Sequence, residues 1–132
     1  MSLTELSAGE AVRQLNAGEI SSEDLVTSCL ERIDEVDGEI QAWARLDRDY
    51  ALGQARACDA ARQMGQPLGP LHGVPVGVKD IFDTSDLPTE NGTVLDAGRR
   101  PAQDCTVVAL LREAGAVIMG KTVTTELAVY HP

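Results

Sequence analysis

The stretch Gly73-Val74-Pro75-Val76-Gly77-Val78-Lys79-Asp80 constrains this chain more than any other. Val74, Val76 and Val78 alternate with Pro75, Gly77 and Lys79, the period of two that defines a strand. One face is three β-branched valines. The other carries Lys79, with Gly77 two residues earlier on the same side. A glycine there is expected to leave open space beside the lysine. A lysine over a gap, on a strand built for the interior, is poorly explained as surface decoration. Burial disfavours an ammonium, so such a lysine can lose its proton near neutral pH and act as a base. Asp80, the next residue, is expected on the opposite face as a turn or backbone-capping residue.

The flanking sequence supplies helices around this strand. Ser7-x-x-Glu10 is a capping box. Ala8, Ala11, Val12 and Leu15 follow at helical spacing, and Gly18 is a suitable terminator. Ser21 and Ser22 offer the next N-cap for a helix over about 23–36, with Leu25, Cys29, Ile33 and Val36 inward and Asp37-Gly38 as its end. The first two helices read as a pair appended outside the main sheet, scaffold rather than chemistry. Residues 40–46 read as a short strand. A third, alanine-rich helix is expected over 49–64, stopped by Gly65 and Pro67. Residues 81–100 form a long irregular segment directly after Lys79, the kind of loop that often carries function. Asp104 is a good N-cap for a fourth helix with Val107, Leu110, Leu111 and Ala114 inward, and Ala116 to Met119 follow as a buried apolar strand. Helices alternating with short apolar strands predict an α/β fold, a sheet covered on both faces. The 132 residues read as a single domain, a helix pair over about 1–40 and an α/β core over 41–132.

Charge and cysteine content narrow the partners. The formal net charge is −10, with no basic cluster to offset it, which argues against direct nucleic-acid binding or an anionic membrane. No apolar stretch approaches membrane-spanning length, and Met1-Ser2-Leu3-Thr4-Glu5 does not open a signal peptide. Cys29, Cys58 and Cys105 are scattered and odd in number, which fits a reduced, cytoplasmic setting. His72 and His131 lack metal-ligand spacing, so neither zinc nor any other cofactor is expected.

Several motifs stand in a definite order: Gly69-Pro70-Leu71-His72-Gly73-Val74-Pro75 through Lys79-Asp80, Leu87-Pro88-Thr89, Asn91-Gly92-Thr93, Arg100-Pro101-Ala102-Gln103-Asp104, Ala114-Gly115-Ala116-Val117-Ile118, Gly120-Lys121-Thr122 and Glu126-Leu127-Ala128. Together they resemble the amidase signature family, and Leu3 to Ile33 is similar to that family's N-terminal helices. Each motif alone is weak; their order is specific. The resemblance implies the N-terminal portion of the amidase signature fold, a mixed sheet flanked by helices. It implies hydrolysis of a carbon–nitrogen amide bond in a small-molecule substrate by a serine, a second serine in a cis peptide and a lysine, with Lys79 as the lysine. The Gly- and Ser-rich stretch that holds both serines in the family lies downstream of its counterpart to Pro132. The first reading is therefore an amidase of which this chain carries only Lys79. A second is a truncated, catalytically inactive fragment or interaction module. A third is the amidotransferase component that supplies ammonia for transamidation of charged tRNA, ranked lower because residues 87–93 look more like general amidases. Strand edges left without downstream partners predict homo-oligomerisation or dependence on further chain.

Other candidates have plainer readings. Gly115 to Thr122 matches the bare phosphate-loop pattern, but it follows a helix, and its middle residues read as a strand. Cys105 at the start of a helix is read as a small apolar residue, not a reactive thiol. Thr93 is read as turn chemistry and Glu126 as a structural hydrogen-bonding residue.

Overall fold

The structure is a computed structural model that describes residues 2–129; His131 and Pro132, singled out above, lie outside the described residues. Four α-helices pack around a three-stranded mixed sheet, as the resemblance implied. α1 spans Ala8–Ala17, α2 Ser22–Ile40, α3 Arg48–Gln63 and α4 Thr106–Glu113. β1 spans Trp43–Leu46, β2 Pro75–Lys79 and β3 Val117–Thr122. β3 is central, parallel to β2 and antiparallel to β1.

Local signals explain where the helices begin. The Ser7 side chain accepts the Glu10 amide, and Gly18 closes α1 at φ 71°. Glu10 does not complete a capping box; its carboxylate binds Arg13 and Gln14 instead. The reciprocal box is one turn earlier, between Ser2 and Glu5. Asp47 caps α3 by accepting the Tyr50 amide at 3.0 Å.

Two helices depart from expectation. α2 does not stop at Gly38 but runs to Ile40, where Gln41 takes the left-handed conformation at φ 55°. Nor is it appended. Its Val26 and Leu30 are fully buried against Ala51 and Ala55 of α3 and Val117 and Met119 of β3. The two alanines present no bulk, so α3 approaches α2 and the sheet closely. α1 packs beside them, with Ala11, Leu15 and Leu25 around Val74. In α4 the inward residue is Val108, which meets Val78, Leu87 and Ile118, while Val107 and Leu110 are exposed. Asp104 is not its cap: Cys105 takes that position without a side-chain bond.

Asp104 instead belongs to a polar knot. It accepts the Ser85 amide at 2.7 Å, the Ser85 hydroxyl at 3.0 Å and Arg112 Nε at 2.9 Å. Arg112 continues to Asp86 at 2.8 Å and to the Tyr50 hydroxyl at 3.1 Å, and Tyr50 donates to Asp86 at 2.7 Å. Burial alone would raise Asp104; the Ser85 donors and the Arg112 guanidinium outweigh it and hold the carboxyl below its ordinary value. A depressed folded-state pKa contributes stability that is present above about pH 4 and lost as the pH falls through the folded value. Acidification below about pH 4 is therefore expected to loosen the 83–86 turn and α4. Asp104→Asn should flatten that part of the pH dependence, read from thermal melting across the same range.

The sheet has an irregular centre. Val76 pairs with Ile118 but Gly77 pairs with Gly120, so Met119 is an extra residue in β3. β1 closes over Gly120 so tightly that an added Cβ would collide with the Arg45 carbonyl. Gly120→Ala is expected to cost about 1–3 kcal/mol or more through forced separation of β1 from β3. Gly53→Ala in α3, where a Cβ meets nothing within 4 Å, should instead be neutral or stabilising by about 0.5–1 kcal/mol. Chemical denaturation of the two variants separates these outcomes.

Candidate functional site

The strand carrying Lys79 forms as expected, and Val78 and Asp80 are buried while Lys79 is exposed. Two expectations about its surroundings are corrected. The space at Gly77 is closed: a Cβ there would stand 3.0 Å from both the Trp43 ring and the Thr122 methyl. Lys79 itself is not buried by this chain. It ends β2 opposite Thr122, its carbonyl accepts the Phe82 amide at 3.0 Å, and no ion pair or hydrogen bond holds its ammonium among the described residues. Alternation along β2 places it on the Gly77 face, the side of Trp43 and Thr122.

The buried lysine is Lys121. It lies in β3 beside Val78 and is fully enclosed. Its Nζ donates to Thr89 Oγ1 at 2.7 Å, to the Phe82 carbonyl at 3.0 Å and to the Pro88 carbonyl at 3.3 Å, with Thr84 Oγ1 at 3.5 Å. Asp80 Oδ1 stands 3.1 Å away as the counter-charge. That oxygen lies off the hydrogen-bonding direction and receives no hydrogen bond among the described residues, so the contact is one of charge. Asp80 Oδ2 accepts the Glu90 amide at 3.3 Å. Asp80 thus caps backbone as anticipated, and also pairs with a lysine the sequence did not connect to it. Desolvation lowers the Lys121 pKa, opposed by Asp80.

The phosphate-loop pattern resolves accordingly. Ala116 to Met119 are buried, and Gly120-Lys121-Thr122 continue the same strand instead of opening a helix. Lys121 is spent on protein acceptors.

The segment after β2 folds over this ammonium and bounds a shallow cleft of about 320 Å³, lined by Asp80, Glu90, Gly92, Thr93, Val94 and Thr124 among others. Thr93 caps a short 3-10 turn and donates its hydroxyl to Glu126 Oε1 at 2.8 Å. Turn chemistry and a structural glutamate are what the sequence suggested for the two. Leu127 and Ala128 both have positive φ, 51° and 57°, and the Leu127 amide binds the Asn91 carbonyl at 2.7 Å. Val94, Leu95, Val123 and Leu127 stand exposed on and beside the cleft.

Five of the six serines of this chain are committed elsewhere. Ser2, Ser7 and Ser21 cap helices, the Ser22 hydroxyl donates to the Gly73 carbonyl at 2.8 Å, and Ser85 serves Asp104. The three cysteines are free thiols; burial raises Cys29 and Cys58 above the ordinary value, and Cys105 packs against the Val78–Val108 cluster. His72 is buried, with Nε2 3.0 Å from the Cys58 carbonyl. No helix among the described residues is long and apolar enough to cross a membrane.

The mixed sheet thus carries Lys79 at the C-terminal end of a strand parallel to its neighbour, and the segment that follows bounds the cleft. The amidase family model matches residues 24–131, and the chain belongs to the amidase signature family. It is 46% identical to the A component of the glutamyl-tRNA(Gln) amidotransferase of Salinispora arenicola, over 96% of this chain and 26% of that protein. It is 45% identical to the putative amidase AmiD of Mycobacterium bovis, over 100% of this chain and 27% of that one. Among solved structures, the peptide amidase of Stenotrophomonas maltophilia superposes with a TM-score of 0.85 at 35% identity, over 92% of this chain and 25% of that chain. The chain thus spans about a quarter of the length of the relatives it matches.

Proposed function

We propose that this chain supplies the lysine base of an amide-hydrolysing site, with Lys79 as that base. The observation that carries the reading is Lys79, exposed at the C-terminal end of an edge strand, in a member of the amidase signature family. A neutral Lys79 would accept a proton from a serine in a cis peptide. That serine would take the proton of a nucleophilic serine as it attacks the amide carbonyl. The amine leaves with a proton, and water releases the acid from the acyl-enzyme. Both serines would come from polypeptide beyond these residues. The same polypeptide would cover Lys79 and supply the desolvation that this chain does not. Exposed Val94, Leu95 and Leu127 support a need for such cover, or for association with a second copy.

The amidotransferase reading keeps the same lysine and hands the released ammonia to a partner. Identities of 40–46% to amidotransferase components of this kind keep this reading beside the first, and 45% to a putative amidase supports the first equally. Its partner proteins would have to hold the tRNA, given the acidic chain.

The test is to purify this chain and assay simple aliphatic and aromatic amides beside light scattering. The expected result is no turnover and a self-associating species, with turnover appearing when the polypeptide includes the serines. A stable monomer that hydrolyses amides and is inactivated by a serine-directed reagent would overturn the reading.

A further inference from the structure

The segment just after Lys79 is folded around a charge. Five acceptor groups converge on the Lys121 ammonium, and all belong to residues 80–89: the Asp80 carboxylate, the Phe82 and Pro88 carbonyls and the Thr84 and Thr89 hydroxyls. Thr84 and Thr89 are fully buried, and they also satisfy the Leu87 and Phe82 carbonyls. A decapeptide turn closed on one ammonium has few other ways to pair its inward polar groups. The base of that turn is Asp80, bonded to Lys79 in the chain. Asp80 is held at three points: its amide by Thr122, its carbonyl by Asn91 and its carboxylate by Lys121 and Glu90.

We propose that Lys121 is a positioning residue: its buried ammonium locks residues 80–91 against β3 and so sets the placement and charge environment of Lys79. The proposal rests on the reading of Lys79 as the base for its functional meaning, but the geometry stands without it. Asp80 and Asp83 are the acidic groups that face Lys121, and the Cys105 thiol lies in the same field. With Lys121 present, Asp80 is compensated. Without it, an uncompensated carboxylate sits next to Lys79 and favours the Lys79 ammonium.

The two lysines of this sequence make the test clean, because Lys121→Met leaves Lys79 as the sole lysine. Amide hydrogen exchange is followed by peptide, and Lys79 is titrated by its rate of acylation against pH, with the N-terminal amine resolved by peptide mapping. Lys121→Met is expected to speed exchange at Thr84, Thr89, Glu90 and Asn91 by about tenfold or more while α2 and α3 keep their protection. The midpoint of Lys79 acylation should move upward. Thr89→Val deletes the 2.7 Å bond and keeps both charges; it should speed the same amides to a smaller degree, and it carries the test if Lys121→Met does not fold. A folded variant with wild-type exchange over 80–91 and an unmoved Lys79 midpoint would overturn the proposal. So would exchange accelerated equally in every element, which would make Lys121 a general stabiliser. Neither readout depends on turnover, so Lys79→Arg kinetics judge the base reading separately.

Discussion

Lys79→Arg, in a polypeptide that also supplies the two serines, is expected to abolish amide hydrolysis without disturbing the fold. Removing a general base costs about 10²–10⁴-fold in rate. Lys79→Ala should fall by a similar factor, because it removes the proton acceptor. Arginine tests the chemistry more sharply: it keeps the positive charge and much of the reach, but a guanidinium stays protonated at every accessible pH. In the 132-residue chain by itself Lys79 is exposed and its ammonium makes no hydrogen bond or ion pair among the described residues, so the stability of that chain should change by less than about 0.5 kcal/mol in either variant. Steady-state kinetics on the longer polypeptide and thermal melting of this chain make the check. A Lys79→Arg enzyme with near wild-type turnover would remove this lysine from the mechanism.

The opposite pattern is expected at the other lysine. Lys121→Met nearly conserves side-chain length but strands the buried Asp80 carboxylate and the carbonyls of Phe82 and Pro88. Breaking a buried ion pair from one side costs about 3–5 kcal/mol. For a chain of this length that is on the order of 10–20 °C in Tm. The double variant Lys121→Met with Asp80→Asn removes both charges and should recover part of the loss. A double-mutant cycle by chemical denaturation gives the coupling directly. A single-variant cost below about 1 kcal/mol would mean that the ammonium contributes little beyond its packing.

The two lysines are opposites, one exposed at a strand end and one sealed in the sheet. Sequence alternation gave the character of a buried lysine to Lys79; in the structure that character belongs to Lys121. β2 is half-exposed and lies at the edge of the sheet, whereas β3 is enclosed from Val117 to Lys121. An edge strand and a central strand with similar alternation look alike in one dimension, because their difference lies in which neighbours pair with them.

Much was legible from short-range chemistry. The valine alternation yields β2, and the apolar run after Gly115 yields β3. Serine caps mark the starts of α1 and α2, and the alanine content of residues 49–64 marks α3 as a helix. These features need only a few adjacent residues, and local propensity and pattern decide them. The order of motifs from Gly69 to Ala128 also pointed to the family that the comparisons show.

Most of what tertiary structure alone decided has a common physical origin: partners distant in sequence. Gly38 does not end α2: the helix runs on to Ile40, where Gln41 takes the left-handed conformation and the Asp37 carboxylate accepts the Ala42 amide. Asp104 leaves the cap position because Ser85 and Arg112 offer it more hydrogen bonds than the helix start does. The Gly77 gap is filled by Trp43, from a strand on the far side of β3. Most consequential is the extra residue Met119. Simple alternation from Ile118 would turn Lys121 toward the α2–α3 side, where Val26, Leu30, Ala51 and Ala55 pack. The bulge between Ile118 and Gly120 reverses the alternation and turns Lys121 to the Val78 side, where the 80–89 turn surrounds it. A bulge is fixed by the pairing of two strands, so the residues of β3 by themselves carry no record of it.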